Sequence, residues 1–342
     1  MKFRILIIFM FVFLRCFNIK SEVSVNENKI NYPKTKKVDQ VDDYHGTLVS
    51  DPYRWLEDLD SKETASWVTA QNEITFDYLH SLPFRDELKT RLTELYDYTR
   101  ISTPSKKGDR YFYYKNTGLQ NQSILYYKDS LSGPENLLLD PNNLSEDGTA
   151  ALSMTRITKD GKLLAYGVSE SGSDWKEVYV RDIEIGIDFL DHIQWIKFSS
   201  ITWLPDNSGF FYSRYPAPIK GDEFENVNSD QKVYYHKLGT DQSKDSLIYN
   251  DPEHPQWGFG TDITDDGEYL LLYVWEGTRN EGLTYYKRLN STESFKPLIS
   301  DWIGSFSVIG NDSTIFYVST DYNAPRNKVI KIDLENPQIE NW

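Results

Sequence analysis

The sequence predicts a mainly β fold, an incomplete β-propeller of about five blades behind a short α-helical segment. Three observations predict it. Aromatic residues make up 15% of the chain, and aromatics suit the half-buried surfaces of sheets. From residue 101 onward, five segments repeat one form, a polar turn followed by a run of alternating aromatic or aliphatic residues. Ahead of them, between residues 60 and 96, apolar residues recur at helical intervals.

The helical segment comes first. Asp60 is placed to cap a helix with Glu63 three residues later, and Trp67, Ile74 and Tyr78 then recur on one face. Ser81-Leu82-Pro83 ends that helix, and Pro83 is suited to start the next. The second helix sets Leu88, Leu92, Leu95 and Tyr96 on one stripe. Each helix therefore needs an apolar partner surface, and two short helices cover each other only in part.

The repeats follow. Lys107-Gly108-Asp109 precedes Tyr111 to Tyr114, Lys159-Asp160-Gly161 precedes Leu163 to Tyr166, and Asn207-Ser208-Gly209 precedes Phe210 to Tyr212. Asp265-Asp266-Gly267 precedes Tyr269 to Tyr273, and Asn311-Asp312 precedes Ile315 to Tyr317. Such turns supply the positive φ of tight hairpins, and a spacing of roughly 45 to 60 residues is that of a four-stranded blade. A second strand set lies between the hairpins: Ser123 to Tyr127, Val178 to Arg181, Val233 to His236 and Thr284 to Arg288. A β-sandwich is the rival fold, but its strands turn every 8–12 residues or so.

Composition narrows the function. The net charge of −15, from 52 acidic and 37 basic residues without a Lys/Arg-rich block, argues against a nucleic-acid partner. Residues 1–21 carry Lys2 and Arg4 before the apolar run Ile5 to Leu14, the layout of a secretory signal; ten residues are too few for a stable membrane span. No small-residue cleavage pattern follows, so an uncleaved anchor or a mis-set start codon is the alternative. Cys16 is the single cysteine and would leave with the signal, and a mature chain without cysteine fits a cytoplasmic origin as well as a secreted one. Four N-x-S/T sequons stand at Asn121, Asn143, Asn290 and Asn311.

The chain offers no chemistry of its own. No Ser is flanked by Gly on both sides as in G-x-S-x-G, and no phosphate-binding or dinucleotide motif occurs. His45, His80, His192, His236 and His254 lack zinc spacing and are expected at the surface or in turns. Asp265-Asp266 is explained by its turn. No catalytic residue, cofactor or metal is expected.

Several longer motifs are specific. Asp43-Tyr44-His45-Gly46 followed by Asp51-Pro52-Tyr53-Arg54-Trp55-Leu56-Glu57-Asp58 closely resembles the N-terminal signature of prolyl oligopeptidases, serine peptidases that cut short peptides after proline. Further matches are Asn116 to Gln122, Leu139 to Asn142, Ser171 to Trp175, Ile196 to Ser199 and Leu238 to Ser243. The resemblance runs from about Tyr32 to the end of the chain.

It implies an architecture in which a seven-bladed propeller caps an α/β-hydrolase domain. Residues 1–21 are then the signal, 22–100 the helical segment that packs on the hydrolase domain, and 101–342 about five of the seven blades. The Ser, Asp and His triad belongs to the later domain. By resemblance, Asp174 matches an acid facing a substrate-binding Arg of that domain, and Phe198 matches an aromatic of the substrate cavity, with core packing as its alternative role. Gly258 and Thr278 stand where a mammalian-type enzyme has Met and Cys in the pocket beyond proline, and Trp275 replaces an Arg nearby. The expected function is that of the N-terminal and propeller part of a prolyl endopeptidase, monomeric at full length, acting on short proline-containing peptides. A truncated, non-catalytic secreted binding module is the alternative.

Overall fold

The computed structural model describes residues 30–219 and 227–342; the expected signal, residues 1–21, lies outside the described residues. The described chain divides into two compact units, one ending at Leu92 and one running from Thr93 to Trp342.

In the first unit, a hairpin pairs Val41–Tyr44 with Thr47–Ser50 ahead of the helices. The turn uses His45 and Gly46, both at positive φ. Arg54 ties this unit together, meeting Asp42, Asp51 and Glu57. Helix α1 spans Lys62–Ser81, and its N-cap is Ser61 rather than Asp60: the Ser61 hydroxyl accepts from the Thr64 N–H at 3.1 Å. A hydroxyl needs to stand immediately before the first helical residue to reach that N–H, and Asp60 is one residue too early. Helix α2 spans Arg85–Tyr96, its last four residues falling in the second unit, and begins two residues beyond Pro83. The expected stripe is present and uncovered, with Leu88, Leu92, Leu95 and Tyr96 between 45% and 60% exposed. No helix among the described residues is long and apolar enough to cross a membrane.

The second unit is a propeller of five antiparallel sheets. In blade 1, Arg100–Ile101 and Ser105–Lys107 both pair with Arg110–Asn116, and Ile124–Lys128 and Asn136–Leu139 follow. Blade 2 comprises Ala150–Ile157, Leu163–Glu170, Lys176–Asp182 and Asp188–Ile196. Blade 3 comprises Thr202–Trp203, Gly209–Arg214, Lys232–Lys237 and Ser246–Tyr249. Blade 4 comprises Trp257–Ile263, Tyr269–Glu276, Leu283–Arg288 and Lys296–Ile299, and blade 5 has Phe306–Asp312, Ile315–Thr320 and Lys328–Asp333.

Every polar turn read from the sequence joins the first strand of a blade to its second. Gly161 and Gly267 take φ of 73° and 76° there, a region open to glycine at little cost. The second strands are buried almost without interruption, as in Leu163 to Gly167 and Tyr269 to Leu272, where alternation was expected. A middle strand has a neighbouring blade against each face, so both sets of side chains leave water.

The core is a series of seams. Phe112, Leu125, Leu164 and Tyr166 join blades 1 and 2, and Val178, Ile193, Phe210 and Tyr212 join blades 2 and 3. Val233, Phe259, Leu272 and Leu283 join blades 3 and 4, and Tyr269, Leu271, Phe316 and Val318 join blades 4 and 5. A fully buried large apolar side chain contributes about 1.5–3 kcal/mol, so these seams are the main source of the propeller's stability.

Candidate functional site

Strand alternation sorts the loops of the propeller onto two ends. The turns between first and second strands meet one another: Asn207 donates to Asp160 at 2.8 Å, Asn311 to Asp266 at 2.6 Å, and Lys159 to the Asp265 carbonyl at 3.1 Å. The loops between second and third strands, and the connections from blade to blade, therefore lie at the opposite end. All four residues expected to line a substrate cavity are at that opposite end. Asp174 is in the second-to-third loop of blade 2, Thr278 in that of blade 4, Phe198 in the connection from blade 2 to blade 3, and Gly258 at the start of blade 4.

Phe198 is 47% exposed, so it does not belong to the core. Its φ of +50° is costly for an aromatic residue, and Trp195 is held at +64° three residues earlier. The Lys197 ammonium between them lies 5.1 Å from the Trp175 ring and 5.4 Å from the Phe198 ring. Trp175, next to Asp174, meets Trp195 and Tyr215 edge to face. A cavity of about 340 Å³ opens beside this cluster, lined by Glu170, Ser173, Trp175, Glu177, Gln194 and Trp195. The Glu177 carboxyl loses solvation there, but hydrogen bonds from Gln194, His192 and Tyr179 outweigh that loss and hold its pKa below the ordinary value.

Gly258 and Trp275 are cross-strand partners in blade 4. Thr278 is exposed in the turn after the strand that carries Trp275. One side chain ties this pair to the Phe198 group. Gln231, 1% exposed, donates to the Lys197 carbonyl at 3.0 Å and accepts from the Phe259 N–H at 2.6 Å.

The other end of the propeller has a cavity of about 310 Å³ between the first strands of blades 2, 3 and 4, with Arg156, Lys159, Trp203 and Asp262 in its wall. Solvent reaches Asp262, yet the surrounding wall desolvates its carboxyl enough to raise its pKa. Among the described residues no cluster of His, Cys, Asp and Glu is arranged for a metal ion. The histidine side-chain hydrogen bonds found among them run to carboxylates, not to a serine. The arrangement is a shaped, partly aromatic wall, without a nucleophile–base pair in the described residues.

The N-terminal β-propeller profile of prolyl oligopeptidase matches residues 33–342. The chain belongs to the prolyl oligopeptidase family. It is 42% identical over 317 residues to a prolyl endopeptidase of Elizabethkingia meningoseptica, covering 93% of this chain and 44% of that protein. It is 37% identical to prolyl oligopeptidase A of Galerina marginata, covering 89% of this chain and 46% of that one. Among solved structures, a prolyl endopeptidase superposes with a TM-score of 0.80 at 33% identity, covering 91% of this chain and 46% of the other. The substrate-bound prolyl oligopeptidase B of Galerina marginata gives 0.78 at 32%, covering 90% of this chain and 46% of that one. The chain thus spans just under half the length of these relatives.

Within this prolyl oligopeptidase propeller, sequence reasoning missed two buried polar residues. Gln231 carries no local signal, because its partners are 34 and 28 residues away. His236, expected at the surface or in a turn, is 0% exposed. A histidine in an alternating strand that faces a neighbouring blade is buried, and the strand read over Val233 to His236 could have pointed to that burial.

Proposed function

We propose that this chain is the N-terminal segment and propeller of a serine endopeptidase that hydrolyses short peptides after proline. In that reading the propeller restricts substrates by size. The α/β-hydrolase portion performs Ser-His acyl transfer with an oxyanion hole. The chain supplies part of the cavity wall and the helical stripe on which that portion rests.

The observation that supports this best is the state of Asp174. It is exposed, at the end of the propeller that also presents Phe198 and Thr278, and no ion pair occupies it among the described residues. A free carboxylate there is available to an arginine of the hydrolase portion, and a charge-assisted pair would hold that arginine towards a peptide carbonyl. The exposed leucines of α2 favour the same reading, since an apolar stripe of this kind is ordinarily covered.

The test is Asp174→Asn in the full-length gene product, assayed on a Gly-Pro-linked fluorogenic peptide. Wild type should cleave after proline, and the variant should raise KM by about tenfold, the equivalent of a lost charge-assisted hydrogen bond, with unchanged melting. No cleavage by wild type, or unchanged kinetics in the variant, would contradict the reading.

A further inference from the structure

His236 lies on the third strand of blade 3 with both ring nitrogens against carboxylates. Nδ1 is 2.7 Å from Asp245 Oδ1 and Nε2 is 2.9 Å from Asp191 Oδ1, and both carboxylate side chains are 1% exposed. Asp191 belongs to the outermost strand of blade 2, so the imidazole bridges two blades. Around it, the Tyr212 hydroxyl donates to Asp245 at 2.6 Å, and the Gly239 N–H donates to Asp191 at 2.7 Å. The Phe210 ring packs 5.1 Å away, and exposed Asp241 adds a third acidic charge nearby. Among the described residues no Lys or Arg pairs with Asp191 or Asp245.

A neutral imidazole carries one N–H, which would leave its second nitrogen with a lone pair facing a carboxylate oxygen. The imidazolium carries two, one for each aspartate. We propose that His236 is a buried imidazolium whose proton fastens blade 2 to blade 3, and that the seam loosens when alkali removes that proton. Burial works against the charged ring, but the hydrogen bonds to Asp245 and Asp191 outweigh it and raise the pKa. A folded pKa raised above the unfolded value near 6.5 gives stability that is full below that value and is lost as pH climbs through the folded one.

The seam reaches the aromatic cluster. Gln242, next to Asp241, brackets the backbone of Gln194, accepting from its N–H at 3.1 Å and donating to its carbonyl at 3.1 Å. The adjoining residue is Trp195, which lines the cavity of about 340 Å³. Asp191 and Gln194 share the strand Asp188–Ile196, so in this proposal loss of the His236 proton removes one of the contacts that hold the strand carrying this indole.

The test combines 15N NMR of the His236 ring with thermal unfolding of the full chain from about pH 5 to about pH 9, bracketing the ordinary histidine range. Both ring nitrogens should be protonated at neutral pH, and the melting temperature should fall over the pH interval in which the ring titrates. Asp191→Asn removes the demand for a second N–H and should flatten that fall, and His236→Gln should abolish it. A neutral ring at neutral pH, or equal alkaline falls in wild type and His236→Gln, would overturn the proposal. If neither variant folds, the ring titration of wild type decides alone.

Discussion

The indole of Trp275 occupies the space that a side chain on Gly258 would need. A Cβ built on Gly258 would stand 2.3 Å from the indole Nε1 and Cε2, and one on Gly260 would stand 3.2 Å from the same ring. The two strands are in register, with Gly258 opposite Trp275, so the aromatic covers the glycines across the sheet. The small residue at 258 and the large one at 275 are thus complementary in volume. Gly258→Ala should cost about 1–3 kcal/mol, because the ring has to move. Trp275→Ala in the same chain should recover part of that cost, and a double-mutant cycle in urea measures the coupling.

Gln231 should matter more than its ordinary sequence surroundings imply. Gln231→Leu leaves the Lys197 carbonyl and the Phe259 N–H without their partner, at about 1–3 kcal/mol for the buried Phe259 N–H and less for the half-buried carbonyl, which water can reach. Urea unfolding should show a loss of that order, and an unchanged midpoint would show that the bridge contributes nothing.

Much of this fold was legible in the sequence because propellers repeat. Each polar turn recurs with an aromatic run behind it, so the signal is reinforced five times over, and the helices show themselves through the spacing of Trp67, Ile74 and Tyr78. What stayed hidden depends on partners remote in sequence. His236 looks like any strand histidine until Asp191, 45 residues earlier, is placed against it. Phe198 reads equally well as core or rim, because its exposure is set by the positive φ of the loop rather than by its neighbours. The N-cap moved from Asp60 to Ser61 because both residue types cap helices and only the backbone decides between them.

The first-to-second turns predict an acid limb of stability. Asp160 accepts from the Thr158 hydroxyl, the Lys162 N–H and Asn207, and Asp266 accepts from the Thr264 hydroxyl, the Glu268 N–H and Asn311. In both, partial burial opposes ionisation but these hydrogen bonds outweigh it, so both carboxyls are held below their ordinary pKa. Groups depressed in this way stabilise the fold above the unfolded pKa near 3.9 and lose that contribution as pH falls through their folded values. The pair Asp160→Asn and Asp266→Asn should flatten the decline of melting temperature below about pH 4. An identical decline in wild type and variant would refute it.

The uncovered stripe of α2 should make the isolated chain self-associate. Replacing Leu88, Leu92 and Leu95 with Gln should shift sedimentation towards the monomer without loss of the propeller's melting transition. Equal association of both forms would show that another surface is responsible.

The most direct measurement is a peptidase assay of the purified 342-residue chain on a Gly-Pro-linked fluorogenic peptide, with and without a serine-directed inhibitor. A propeller that provides walls and anchoring, with the attacking group carried elsewhere in the enzyme, predicts no release of fluorophore above buffer. Turnover that the inhibitor abolishes would contradict it.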